Sequence, residues 1–462
     1  MGPARIVLVR HAEAAMPDEH GRVYSYGDAP LTPRGREQAA RLGRLLAPLP
    51  IDAAYCSDLV RARETAELVL RDRGIAVRAD ARLREVDVGA LEGFTIERLR
   101  AEAPQFAPWL ETAFEGRFSA DGSEVPASLV FPQGESVELG LARVLPLFLE
   151  IARTHQDRTV VLVSHRRLVQ ALLGYVTEAG VENYHRFGVA NAGLTMIEVG
   201  PDGRGVLCAL NSDLDLRESV ERARGDGGRG TTRVVFVRHG HAMSVEKGGP
   251  AYSHNPIPLS AVGREQAECV AAALSNVHID ALYSSDLVRA RETAEICGRA
   301  IGIDVVVDEA LREVALGDFE GMTLERVHAE HPPFAPWLEV TFRARFPSAE
   351  FHHPADLRFP NGQSVLQVHD VALAGFRRII EAHVGKTVVL VSHGWVLQPL
   401  LCHVVGADPR SYFRFSLPTA TVSFGEVERT GRGVLEIFNA AIDLERLPKL
   451  TTMSRDAEAA HS

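Results

Sequence analysis

Lysine is nearly missing from this chain: Lys247, Lys386 and Lys449 are the whole complement in 462 residues, and the first 246 contain none. A lysine Schiff base or a phosphate-loop lysine is therefore excluded over that first half. Cysteine is scarce as well, five residues with no C-x-x-C pair, which fits free thiols and not a disulfide framework. No apolar run reaches the roughly 18 residues of a membrane helix, and Met-Gly-Pro-Ala-Arg leads straight into a strand-like segment without a signal-peptide core. A cytoplasmic protein without membrane contact is the expectation. Excess positive charge is absent too: a net charge of −11 argues against a broad nucleic-acid surface, so any anionic substrate has to be drawn by a local cluster.

What is present is ordinary for a folded chain, 46% hydrophobic and 24% charged, at a length that calls for two domains or more. The chain also repeats itself. A shift of 228 residues, without a gap, carries Arg10-His11 onto Arg238-His239, Gly35 to Ala39 (GREQA) onto Gly263 to Ala267, and Ser57 to Glu67 (SDLVRARETAE) onto an identical run at Ser285 to Glu295. It also superposes Leu83 to Val86 on Leu311 to Val314, Phe106 to Leu110 on Phe334 to Leu338, and Val160 to His165 (VVLVSH) on Val388 to His393. So long a period means duplication of a whole domain, each copy with its own core. The expected division is a first domain over 1–223, a glycine-rich linker over 224–232, a second domain over 233–450 and a polar tail over 451–462.

Within a copy, short β-branched runs alternate with longer amphipathic stretches. In the first copy strands are predicted at 5–10, 52–56, 159–164, 193–199 and 205–209, and helices at 33–47, 59–73, 135–153 and 167–176, with Thr32-Pro33 as a helix start. This alternation predicts an α/β domain with a mainly parallel sheet covered on both faces.

Two strands of each copy run into histidine, giving His11 and His165, mirrored by His239 and His393. Ligands of open parallel sheets bind beyond the carboxyl ends of strands, so neighbouring strands would let both imidazoles flank one small group. Arg10 and Arg238 precede the first histidine, and Arg61 and Arg289 fall in the first turn of a predicted helix. Two arginines, two histidines and a helix N-terminus describe a pocket for a dianionic phosphoryl group. A neutral imidazole is a competent nucleophile toward phosphorus, and Glu85 or Glu313, each in an L-R-E-V-x-x-G loop, would supply the leaving group's proton. Arginine and histidine then carry the positive charge, and neither a metal nor another cofactor is called for.

These motifs, R-H-G near the N-terminus, S-D-L-x-R-A-x-x-T-A, L-x-E-x-x-x-G-x-x-E-G, G-E-S and S-H-G, resemble the histidine phosphatase superfamily, its phosphoglycerate-mutase-like branch, and especially small phosphatases such as alpha-ribazole phosphatase. The resemblance covers nearly all of both copies. It implies phosphorylation of His11 and His239, a phosphate clamp of Arg10, Arg61, Arg238 and Arg289, stabilisation by His165 and His393, and proton donation by Glu85 and Glu313. The implied activity is hydrolysis of a small phosphorylated metabolite; the alternatives are a phosphomutase, or an active second copy supported by a binding or scaffolding first copy. The second alternative rests on two departures: Ala12 and Arg166 stand where the second copy has Gly240 and Gly394, so that a side chain there either narrows the pocket, shifts an N–H or, at Arg166, adds a third cation. Pro17 and Val245 replace an asparagine common in the family. The segments 95–131 and 323–359 would cap the pocket, with Arg117 and Arg345 as substrate contacts. Arg63 and Arg291 read as solvated helix face, Gly385-Lys386-Thr387 as a turn, and His352-His353 and His239-x-His241 lack the carboxylate or cysteine partners of a metal site.

Overall fold

The computed structural model describes residues 2–16, 21–22, 24–27, 29–107, 126–225, 230–243, 250–334 and 355–440. The chain divides into two compact units, Met1–Asn211 and Ser212–Ser462. The first unit runs β1 (Ala4–Arg10), α1 (Pro33–Leu45), β2 (Ala53–Cys56), α2 (Val60–Val69), β3 (Val77–Ala79), α3 (Ile96–Glu102), α4 (Val137–Thr154), β4 (Thr159–Ser164), α5 (Arg166–Val176), β5 (Thr195–Val199) and β6 (Gly205–Ala209). Its six strands order as β3-β2-β4-β1-β5-β6; the pairings from β3 to β1 are parallel and the two beyond β1 antiparallel. β1 and β4 lie at the centre, buried on both faces, which is why both read as continuous Val/Ile/Leu runs without alternation.

The second unit opens with α6 (Leu216–Gly225) and repeats the plan: β7 (Thr232–Arg238), α7 (Ala261–Leu274), β8 (Ala281–Ser284), α8 (Val288–Ile301), β9 (Val305–Val307), α9 (Leu324–Glu330), α10 (Val365–Ala382), β10 (Thr387–Ser392), α11 (Gly394–Val405), β11 (Val422–Val427) and β12 (Gly433–Ala440), in the sheet order β12-β11-β7-β10-β8-β9. Leu216, Val220 and Ala223 of α6, an i, i+4, i+7 stripe, join the core that holds Val270, Ala271 and Leu274. The division between the units thus falls at Asn211, ahead of this helix.

The repeated GREQ motif has a mechanical reason. Thr32 caps α1 by accepting the Gly35 N–H at 2.9 Å, with Pro33 at the helix start as expected. A Cβ at Gly35 would come within 2.0 Å of the Glu13 carbonyl oxygen, and one at Gly263 equally close to that of His241. The helix therefore packs directly on the loop leaving the first histidine, and Gln38 and Gln266 pin that loop by accepting the N–H of Glu13 and His241 at 2.9 and 2.8 Å.

Candidate active site

β1 and β4 end side by side, with Arg10 opposite Ser164, as do β7 and β10, with Arg238 opposite Ser392. The residues that follow are consequently brought together. The rings of His11 and His165 have centroids 5.1 Å apart and are tilted by 57°; those of His239 and His393 are 4.9 Å apart at 58°.

The hydrogen bonds fix the chemistry of the first histidine. Nδ1 of His11 is 2.8 Å from the Ala12 carbonyl oxygen, and Nδ1 of His239 is 2.7 Å from that of Gly240. A carbonyl oxygen only accepts, so Nδ1 carries the hydrogen and Nε2 keeps a lone pair. Burial, reinforced by Arg61 and Arg10, holds His11 well below the usual imidazole range, and burial with Arg289 and Arg238 does the same to His239. Both imidazoles are neutral at neutral pH. In the second unit Arg289 Nε donates to the Nε2 lone pair of His239 across 3.3 Å.

The second histidine is held from its far side, Nε2 of His165 2.9 Å from Ser57 Oγ and Nε2 of His393 2.9 Å from Ser285 Oγ. Their Nδ1 atoms are buried without a hydrogen-bond partner among the described residues, and so are Nε of Arg10 and of Arg238. Buried polar atoms left this way are rare and need a reason. Here the same orphans recur beside the same histidine pair in both copies, and a bound anion is a reason that fits all four.

Each clamp arginine is anchored by backbone. Arg10 Nη1 donates to the Val189 carbonyl at 3.0 Å and Arg238 to that of Leu417; Arg61 donates to Gly27 and Ser25 carbonyls at 2.9 and 2.5 Å, and Arg289 to Ser253 at 2.8 Å. The loop presenting those carbonyls is itself gripped by a carboxylate: Glu92 accepts the N–H groups of Ser25 and Tyr26 at 2.9 and 2.7 Å, and Glu320 those of Ser253 and His254 at 3.0 and 2.9 Å. Thr65 joins the clamp helix to the nucleophile loop, accepting the Ala12 N–H at 3.0 Å and donating to the Arg61 carbonyl at 2.6 Å; Thr293 does the same for Gly240 and Arg289 at 3.1 and 2.8 Å. The sequence assigns no catalytic role to Ser57, Thr65, Glu92 or their counterparts; Ser57 and Thr65 lie in the run SDLVRARETAE that the 228-residue shift leaves unchanged, and Glu92 in the E-G of the acid-loop motif.

Glu85 and Glu313 reach the same place. Glu85 accepts the N–H of Val86 at 3.0 Å and, across the pocket, that of Arg167 at the start of α5, at 3.3 Å. Glu313 accepts the N–H of Val314 at 3.0 Å and is likewise coupled to the backbone N–H of Trp395. Both glutamates are half-buried, whereas His165 and His393 are fully enclosed. Burial raises the Glu313 carboxyl above its ordinary value despite those N–H groups, Arg289 and Arg238. The loops behind the acids are braced differently. In the first unit Arg143, paired with Glu135 at 2.8 Å, donates to the Glu85 carbonyl at 3.1 Å; in the second, His254 Nε2 stands 2.8 Å from the Glu313 carbonyl.

Ala12 is fully buried and its N–H keeps the threonine contact that Gly240 makes, whereas a Cβ built on Gly240 would come within 2.4 Å of the Gly263 carbonyl oxygen. A Cβ at Gly394 would meet the Arg238 guanidinium at 3.5 Å, an ordinary contact, so a side chain at Arg166 is accommodated. Arg117, Arg345, Pro17, Val245, His352 and His353 lie outside the described residues. Among the described residues no group of three or more His, Cys, Asp or Glu is arranged to hold a metal, and no helix is long and apolar enough to cross a membrane.

The depressed histidines make stability pH-dependent. His11, His165, His239 and His393 all sit well below the ordinary 6.5, with burial the leading cause. Below that value the unfolded chain takes up protons that the fold refuses, so stability falls as pH falls, by about 1.4 kcal/mol per pH unit for each histidine. The raised Glu313 works in the opposite sense and offsets part of this in the second unit. Urea midpoints measured between about pH 7.5 and about pH 5.5 are expected to drop steadily, and more shallowly in a His165→Gln, His393→Gln chain. Flat midpoints would contradict the assignment of neutral buried imidazoles.

Known proteins share this arrangement of sequence. Phosphoserine phosphatase 1 of Hydrogenobacter thermophilus is 27% identical over 206 residues, 44% of this chain and 91% of that protein. The 2-carboxy-D-arabinitol-1-phosphatase of Triticum aestivum is 27% identical over 302 residues, 63% of this chain, and the chain spans 56% of that relative's length. Among solved structures, alpha-ribazole phosphatase from Shigella flexneri matches at 27% identity and a TM-score of 0.37, over 45% of this chain and 96% of its own. The model of the histidine phosphatase superfamily, branch 1, matches twice, over residues 6–212 and 234–440, each match enclosing one whole histidine pair with its arginines and glutamate. Both halves of the chain belong to that superfamily.

Proposed function

We propose that each unit hydrolyses a phosphate monoester of a small metabolite through a phosphohistidine, on His11 in the first and His239 in the second. The observation that carries this reading is the tautomer of the first histidine: Nδ1–H committed to a backbone carbonyl, Nε2 bearing its lone pair among buried cationic groups. Nε2 attacks phosphorus, the P–O ester bond breaks, and the departing alkoxide takes the proton of Glu85 or Glu313. Water then attacks the phosphohistidine, gives its proton to the same carboxylate, and releases inorganic phosphate and the free imidazole. Arg10, Arg61 and His165, or Arg238, Arg289 and His393, neutralise the phosphoryl oxygens throughout. Phosphatase-named relatives support hydrolysis. The first copy keeps the Nδ1–carbonyl contact of its nucleophile and both N–H contacts of its acid, which supports activity at both sites.

The test is a rapid acid-free quench of the chain with ³²P-labelled phenyl phosphate. Alkali-stable, acid-labile label on His11 and His239 is expected; no label, or label on another residue type, would reject the mechanism.

A further inference from the structure

The two units hold their acid loops by different means, and the difference runs through three positions that change together. In the first unit the carbonyl of Glu85 accepts from Arg143 Nη2 at 3.1 Å, and the same guanidinium donates to the carbonyls of Arg82 and Arg84 at 2.6 and 3.1 Å. The edge formed by Nε and Nη2 meets Glu135 as a fork, both bonds being 2.8 Å. Glu135 Oε2 in turn accepts the N–H of Asp87 at 3.3 Å, two residues beyond the acid. One ion pair thus grips the loop on both sides of Glu85.

The 228-residue shift puts Val371 in the place of Arg143, Gln363 in that of Glu135 and His254 in that of Tyr26. Valine has no donor to offer, and Val371 is 53% exposed on α10. A carboxylate left without its arginine would be a half-buried, unpaired charge; glutamine removes the charge and keeps the contact, its Oε1 accepting the Ala315 N–H at 3.1 Å. What goes with the arginine is the donor to the acid's own carbonyl. His254 supplies it from another element: Nε2 stands 2.8 Å from the Glu313 carbonyl oxygen, which only accepts, so Nε2 carries the hydrogen. In the first unit Tyr26 is turned to a different partner, its ring lying under the Arg84 guanidinium with 5.3 Å to the centroid.

The loop that delivers residue 26 or 254 is fixed alike in both units, its N–H taken by Glu92 or Glu320 and the preceding carbonyl by a clamp arginine. An imidazole at either position therefore starts from the same backbone. Each acid's carboxylate accepts the N–H of its own next residue, at 3.0 Å in both units, so the carboxylate moves with the loop. A displacement of about 1 Å at a reacting group can cost about a hundred-fold in rate. The donor to the acid's carbonyl is thus a lever on proton transfer.

On the footing that Glu85 and Glu313 donate the proton, we propose that Arg143 in the first unit and His254 in the second are positioning residues for that step, two interchangeable braces that set the carboxyl against the leaving oxygen.

Chains reporting one site each, His239→Ala for the first and His11→Ala for the second, are assayed for kcat/KM, which ends at departure of the alcohol. The substrates are an alkyl phosphate, which needs the proton, and 4-nitrophenyl phosphate, which needs it little. Glu135→Gln with Arg143→Val, the pair the second unit carries, is expected to lower the alkyl-to-nitrophenyl ratio about ten-fold or more, while 4-nitrophenyl phosphate keeps its kcat/KM within about three-fold. Adding Tyr26→His should bring the ratio back to within about three-fold of the His239→Ala chain's. In the second unit His254→Phe should lower the ratio likewise, and His254→Gln, whose amide can donate, should keep part of it. The two His254 variants read the proposal whether or not the first-unit variants fold. An unmoved ratio, an equal loss on both esters, or a ratio restored neither by Tyr26→His nor by His254→Gln would overturn it. Glu85→Gln and Glu313→Gln separate positioning from the catalytic reading: if they lower the ratio and the brace variants do not, positioning alone is refuted, and if they leave it unmoved, proton donation by these glutamates falls as well.

Discussion

Replacing both His11 and His239 by alanine is expected to lower phenyl phosphate turnover by at least about 10⁴-fold, because the lone pairs proposed to attack phosphorus are then gone. The single variants divide the activity between the units. His239→Ala should leave only the first site's turnover and His11→Ala only the second's. Backbone carbonyls anchor the clamps: Arg10 is held by Val189, Arg61 by Gly27 and Ser25, Arg238 by Leu417 and Arg289 by Ser253, with Arg289 donating to His239 besides. Competitive inhibition by inorganic phosphate should therefore persist within about three-fold, so that the loss falls on kcat and not on binding. A double variant retaining more than about a tenth of the turnover would exclude histidine as the nucleophile. A His11→Ala chain with undiminished turnover, beside an inactive His239→Ala chain, would instead make the first unit a binding domain.

Much of this site was legible before the fold was known, and the reason is local. Val-rich strands that run straight into histidine declare both their burial and the end at which they meet ligand, and the 228-residue shift separates such residues from coincidence by showing them twice. Thr32-Pro33 likewise announces the start of α1 from its own chemistry. Other features depend on partners distant in sequence. β3 is three residues long, too short for a period, and exists because β2 offers it an edge. Ser57 looks like a helix cap, yet α2 has no side-chain cap and the hydroxyl holds His165, a contact between residues 108 apart. The tautomer of His11 follows from a carbonyl one residue away, but only the fold turns that carbonyl onto Nδ1. Ala12 keeps to Thr65 the backbone contact that Gly240 makes to Thr293, although a Cβ built on Gly240 would stand 2.4 Å from the Gly263 carbonyl oxygen; the residue after the second histidine is Arg166 in one copy and Gly394 in the other.

The second large effect concerns the proton. Glu313→Gln, made in a His11→Ala chain so that only the second site reports, is expected to cut hydrolysis of an alkyl phosphate by about 10² to 10⁴-fold, and to affect 4-nitrophenyl phosphate far less. An alkoxide cannot leave without a proton, whereas nitrophenolate can, so the difference between the two substrates measures proton donation and not damage to the pocket. Glutamine keeps the shape and can still accept the N–H groups of Val314 and Trp395, which protects the fold. The pH profile supplies a second reading. Burial raises the Glu313 carboxyl against the pull of Arg289 and Arg238, which holds the proton in place above the ordinary carboxylate range. Alkyl phosphate turnover should then decline as pH rises through that raised value, and this limb should vanish in the Glu313→Gln chain. Equal losses on both esters, or an unaltered limb, would assign the proton to a group other than Glu313. Glu85 occupies the same place in the first unit, and Glu85→Gln in a His239→Ala chain should reproduce the leaving-group dependence, since its carboxylate meets the Arg167 N–H just as Glu313 meets that of Trp395.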